Sequence, residues 1–128
     1  MPLSSVGILQ APTVISKTTQ TLIGKEISCI GADFLTLFFD YVKGDETGLI
    51  ITPSVLYVSG GTAYSYAVQT ATGGAMTLTD TKITLTASKS SYMTFDVRGI
   101  NIFKFTQGGS NNDGTPTGTL AASYLLKA

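Results

Sequence analysis

Between Asp33 and Gly44 the chain reads Asp-Phe-Leu-Thr-Leu-Phe-Phe-Asp-Tyr-Val-Lys-Gly, and a repeat of two puts Leu35, Leu37, Phe39 and Tyr41 on one face. Thr36, Phe38 and Asp40 fall on the other face, a mixed set that suits a sheet covered on one side and partly wet on the other. This pattern predicts a central β-strand. No stretch of comparable length carries a 3.6-residue apolar stripe bounded by helix caps.

The same alternation recurs along the chain. Lys25 to Ile30, Leu49 to Thr52, Val55 to Val58, Ala63 to Gln69, Ala75 to Thr79, Lys82 to Thr86, Ser91 to Val97, Ile100 to Phe105 and Thr119 to Leu126 all have strand length and strand composition. Pro53 is expected to end the strand that begins at Leu49, since proline cannot donate into a ladder. Gly60-Gly61, Gly73-Gly74 and the charged run Lys43 to Gly48 read as turns. Short strands spaced about 8–12 residues apart predict an all-β, antiparallel β-sandwich, because no crossover helix is present to join parallel neighbours. The spacing leaves the strand order open between a jelly roll and an immunoglobulin-like sandwich. A jelly-roll-like sandwich is expected.

Residues 1–24 look different. Val6-Gly7-Ile8-Leu9 is apolar, Pro2 and Pro12 interrupt it, and Ser16 to Thr21 is polar. That contrast predicts an extended N-terminal arm over residues 1–24 and a single sandwich domain over residues 25–128. The stretch is also readable as the first strand of the sandwich or as a frayed end. An arm of this kind docks by adding a strand to a neighbour, which uses main-chain hydrogen bonds and needs no charge.

Charge and cysteine content narrow the function. With 128 residues, 43% of them hydrophobic, the chain fills one core. Eight basic residues balance eight acidic ones, which argues against the cationic face that nucleic acid or an anionic membrane requires. Cys29 is the single cysteine and histidine is absent, so imidazole-based nucleophilic catalysis and the usual zinc, haem and iron-sulfur ligand sets are not expected. The start shows no secretory signal pattern, and no run reaches the ~18 apolar residues of a membrane span, so a soluble protein made in a cytoplasm is expected. Asp40, Asp45, Glu46, Asp80, Asp96 and Asp113 are the acids from which a glycosidase pair would be drawn, but Asp45, Glu46 and Asp113 fall in turn-like segments expected to be solvated. No catalytic residue, cofactor or metal site is expected. Asn111, Asn112 and Asp113 supply oxygens that would suit calcium, yet they lack the ligand spacing of an EF-hand and read better as a turn.

Two stretches carry a resemblance. Ala32 to Thr47, with its strand and charged loop, resembles small structural proteins of tailed bacteriophages. Phe95-Asp96-Val97-Arg98-Gly99-Ile100-Asn101-Ile102-Phe103-Lys104-Phe105, followed by Gly118-Thr119-Leu120-Ala121-Ala122-Ser123-Tyr124, resembles the closing strands of β-sandwich virion proteins of that kind. The resemblance implies a non-enzymatic virion protein assembled in the host cytoplasm, of the capsid decoration or auxiliary type, with a head-tail connector or tail component as the alternative. Its implied partners are the major capsid protein and further copies of itself, as an oligomer or a symmetric lattice, with neither nucleic acid nor membrane. The residues expected to make those contacts are Val6, Ile8, Leu9, Val14 and Ile15 of the arm, with Tyr64 and Tyr66. A carbohydrate-binding sandwich, using its tyrosines, is the reading from a different class.

Overall fold

The computed structural model describes residues 4–110 and 115–128. Twelve strands follow in order: β1 (Ser4–Val14), β2 (Thr21–Leu22), β3 (Ile27–Ser28), β4 (Phe34–Val42), β5 (Leu49–Leu56), β6 (Ala63–Ser65), β7 (Ala67–Thr72), β8 (Ala75–Asp80), β9 (Ile83–Leu85), β10 (Lys89–Asp96), β11 (Ile102–Gly109) and β12 (Thr119–Lys127). The first sheet has the order β1-β12-β4-β10. The second has the order β2-β11-β5-β6, with β3 also on β11 and β9 also on β5. Every pairing is antiparallel. If β2 with β3, and β6 with β9, are each taken as one interrupted strand, eight strands make two four-stranded sheets between which the chain repeatedly crosses. That is the jelly-roll path.

The alternation in β4 has the expected effect. Leu35, Leu37, Phe39 and Tyr41 are all buried between the sheets, where they meet Leu120, Ala122 and Leu126 of β12 and Leu49, Ile51, Phe103 and Phe105 of the second sheet. Four rings tie the sheets together. Phe95 of the first sheet lies 5.3 Å from Phe103 and 5.5 Å from Phe105 of the second, and Tyr66 meets Phe95 edge-on at 5.3 Å.

The expected arm is corrected over most of its length. Ser4–Val14 forms the edge strand of the first sheet, paired with β12 from Ser4↔Lys127 to Val14↔Thr119. Leu9, Ile15 and Ile23 are buried in the shared core, so no structural division falls at residue 24. Two register shifts, between Ile8 and Gln10 and between Gln10 and Thr13, bend the second half of β1, and Pro12 sits at the second of them. Proline and bulges are tolerated on an edge. Gly24 fixes the corner that follows, with φ of +66° and a position at which an added Cβ would lie 2.2 Å from the Leu9 carbonyl oxygen. Gly24→Ala should therefore cost about 2 kcal/mol or more, from left-handed strain plus a clash with unyielding backbone, and lower the thermal midpoint measurably.

Two further expectations change. β5 does not stop at Pro53 but runs through it to Leu56. In a strand the N–H and C=O of one residue face the same neighbour. Since the Pro53 carbonyl accepts from Tyr66 N–H, the missing proline donor also faces the side where β6 ends and β9 has not begun. The pairing with β11 stays whole. At that gap the chain leaves the sheet, and Ala75 to Thr79 belongs not to the sandwich but to the β7–β8 hairpin, which among the described residues pairs with no other strand. Gly73 and Gly74, at φ of +59° and +82°, make its two-residue turn. Thr81 N–H donates to the Tyr66 carbonyl at 2.9 Å and closes its base.

Glu46 is the fourth correction. Expected to be solvated, it is 4% exposed. Its carboxylate accepts from the Tyr41 hydroxyl, from Gly44 N–H at 2.9 Å, from Thr117 N–H at 3.2 Å and from Gly118 N–H at 2.8 Å. It thereby clamps the β4–β5 loop to the start of β12. Burial alone would raise its pKa, but the hydrogen bonds from Tyr41, Gly44 and Gly118 outweigh that and hold it at about 2.

Candidate functional site

The outward face of the first sheet is the most unusual surface of the molecule. The registers of β1, β12, β4 and β10 line up its side chains in rows across all four strands. One row is Ile8, Ser123, Phe38 and Tyr92, and the next is Val6, Leu125, Thr36 and Thr94. Ile8 and Val6 are 76% and 75% exposed, Tyr92 is 63% exposed and Phe38 is 44% exposed, with the Phe38 and Tyr92 rings 6.1 Å apart. Neither row contains a charge. The charges of this face lie at its margins, with Lys127 and Asp96 in the row beyond Val6, and Asp40 in the row beyond Ile8. A shallow depression of about 400 Å³ opens between Ile8, Phe38 and Tyr124.

Local sequence explains how this face forms. The Leu35, Leu37, Phe39 set is committed to the core, so the intervening Phe38 must point outward. On the inner side of the same sheet Gly7 lies opposite Tyr124, which packs against the core, and an added Cβ there would meet the tyrosine ring at 2.6 Å. The missing side chain lets that ring lie over the edge strand. At the Asp96 end, Arg98 holds Asp96 through a 2.6 Å ion pair and sits over the Phe34 ring at 5.9 Å. Both charged groups are well exposed, so this pair adds little stability.

The residues expected to make contacts divide into three groups. Val6 and Ile8 stand together on the outward face, and Val14 is exposed farther along the same strand. Leu9 and Ile15 face the core. Tyr64 is exposed at the opposite sheet, whereas Tyr66 packs on Phe95 and Phe103 and donates its hydroxyl to the Asp96 carbonyl at 3.1 Å. Phe38 and Leu125, which stand in the same rows, were not among the expected contact residues, and Tyr92 was expected only as one of the tyrosines that a sugar or protein contact would use. The usable signal was a phenylalanine at an outward position between Thr36 and Asp40.

A second exposed element is the β7–β8 hairpin. All of its residues but Ala67 are exposed, and no charged residue occurs between Glu46 and Asp80. Among the described residues no group of three or more His, Cys, Asp or Glu side chains is placed to hold a metal. The calcium expectation at Asn111, Asn112 and Asp113 lies outside the described residues. Among the described residues no helix is long and apolar enough to cross a membrane.

The fold recurs in solved structures. The SPBc2 prophage-derived protein YomS superposes with a TM-score of 0.61 at 15% identity, covering 100% of this chain and 96% of that one. A structure of Bacillus endospore appendages, described as a family of disulfide-linked pili, gives 0.53 at 11% identity over 98% of this chain and 86% of that one. A structure of infectious bursal disease virus, Gx strain, gives 0.50 at 14% identity over 98% of this chain and 32% of that one. No family model matches the sequence, and no curated protein matches it. At these identities the likeness is one of fold.

Proposed function

We propose that this protein is a non-enzymatic structural component of a phage particle, of the capsid decoration or auxiliary type, which binds the protein shell through the outward face of its first sheet. The observation that carries this reading is the pair of uncharged rows in which Val6, Ile8, Phe38, Tyr92 and Leu125 stand among only hydroxyl side chains. Several exposed apolar side chains gathered in one patch, with charges kept to its margins, mark a contact surface rather than ordinary exposed residues. The fold likeness to a prophage-derived protein and to a virus structure supports the choice of partner. Repetition on a shell turns a modest contact into stable occupancy, so one small face is enough.

The test is occupancy of particles purified from a lysate of the phage that encodes the protein. Phe38→Asp and Tyr92→Asp change outward side chains and should leave thermal unfolding nearly unchanged, while lowering the bound amount at least tenfold, which corresponds to about 1.4 kcal/mol per site. Full occupancy by both variants, or absence of the natural protein from particles, would overturn the reading. Deleting the first strand is no substitute, because Leu9 would leave the core.

A carbohydrate-binding reading has one observation in its favour. Tyr57, 78% exposed, and Asn101 stand between two depressions of about 390 and 380 Å³ on the far side of the molecule, one of them also lined by Tyr64. A glycan array with the natural protein and Tyr57→Ala separates this from shell binding.

A further inference from the structure

The first sheet has two free edges, and they match each other. Among the described residues no strand pairs with the outer side of β1 or of β10. β1 carries no charge from Ser4 to Val14, and its regular half, Ser4 to Ile8, lacks the devices that protect such edges, since both register shifts and Pro12 come later. β10 is regular throughout and keeps its charges, Lys89 and Asp96, at its ends. The direction of the strands is equally suited. β12 is antiparallel to β1, β4 to β12 and β10 to β4, so β1 and β10 run in opposite directions. A second copy displaced along the sheet would therefore present its β10 antiparallel to β1, the arrangement that every other neighbour in this sheet already has.

We propose that copies of this protein join edge to edge, β1 of one copy pairing antiparallel with β10 of the next, so that the first sheet continues from copy to copy. The cross-sheet rows set the alignment. Ile8 and Tyr92 end one row, and Val6 and Thr94 end the next, so displacement along a row brings Ile8 against Tyr92 of the next copy and Val6 against Thr94. The added contact places β-branched residues beside an aromatic and a threonine, pairs that favour antiparallel strands. It meets no like charge, and the Asp96 end, where the Tyr66 hydroxyl already holds the carbonyl, lies beyond the Val6 row. Because the two edges differ, the contact is head-to-tail and gives a ring or an open filament rather than a closed twofold dimer. It would operate whichever surface the outward face itself binds.

Cysteine trapping on the full-length chain tests this without any particle. Within one molecule Ile8 and Tyr92 are separated by three strand spacings, roughly 14 Å, too far for a disulfide. Ile8→Cys/Tyr92→Cys and Val6→Cys/Thr94→Cys should each give a ladder of dimers, trimers and longer species on oxidation or with a short bismaleimide, reversed by reductant in the oxidised samples. The four single variants should stay monomeric on the same gel. The natural Cys29 is 1% exposed and its thiol is pushed up to about 11 by burial, so it leaves the background silent. A dimer from Ile8→Cys alone would overturn the proposal in favour of a twofold β1–β1 contact. Monomers from both double variants, with a monomeric mass at the highest soluble concentration, would overturn it outright. Loss of particle binding by Phe38→Asp with the ladder intact, or the reverse, tells the two proposals apart.

Discussion

Glu46→Gln should destabilise the fold by about 2–4 kcal/mol, far more than a loop substitution ordinarily does. A carboxylate offers acceptors only, and here one oxygen takes the Tyr41 hydroxyl and Gly44 N–H while the other takes the Thr117 and Gly118 N–H groups. A glutamine keeps one acceptor and turns the other into a donor that faces donors. Turned one way it strands Gly44 N–H, and turned the other way it strands both Thr117 and Gly118. Glu46→Ala should cost about 3–5 kcal/mol, since the whole cluster then loses its partner. Urea titration of the three proteins measures this, and a glutamine variant within 1 kcal/mol of the natural protein would refute the clamp.

The same carboxylate gives a pH signature. Its pKa is about 2 in the fold against 4.5 for an unperturbed glutamate, a difference of about 3 kcal/mol at ~1.4 kcal/mol per unit. As pH falls, the unfolded chain takes up the proton first. The stabilisation is therefore complete above about pH 4.5 and is lost as pH falls through about 2. Natural protein and Glu46→Gln should accordingly converge in stability between those limits. Asp96 is also held at about 2, by its hydrogen bonds with Arg98, but that pair is exposed. Added salt suppresses the Asp96 contribution and leaves the buried one.

Phe103→Ala should cost about 3–5 kcal/mol. Phe103 is fully buried and lies 5.0 Å from Phe105, 5.3 Å from Phe95 and 5.4 Å from Tyr66, so its loss opens a cavity at the junction of the two sheets. Phe103→Leu refills most of that space and should cost roughly half as much or less. A second effect should appear farther away. Tyr66 would lose one wall of its site, and it is the residue at which the β7–β8 hairpin leaves the sheet. Hydrogen exchange should therefore accelerate at Thr81, whose N–H closes the hairpin base, more than at Leu37 in β4. A denaturant midpoint unchanged within error would mean that the sheets are held elsewhere.

What the sequence by itself determined is the content of the strands. Alternation is a property of one strand read along its own length, so the runs in β4, β11 and β12 identified the strands and, in β4 and β12, which residues enter the core, including Leu35, Leu37, Phe39, Tyr41, Leu120 and Leu126. What only the tertiary structure decided is what lies beside each strand. Ser4–Val14 looked like an arm because prolines interrupt its apolar run and a polar stretch follows it, and the bulge that accommodates Pro12 makes sense only against β12. Pro53 looked like a terminator because its missing donor has a cost only where a neighbour would use it, and the hairpin removes that neighbour. Glu46 looked solvated because two of its donors, Thr117 and Gly118, stand 71 and 72 residues away. The apolar rows cross four strands brought together from the two ends and the middle of the chain. Periodicity along one strand carries no information about its neighbours in the sheet, and pairing settles both the face and its edges.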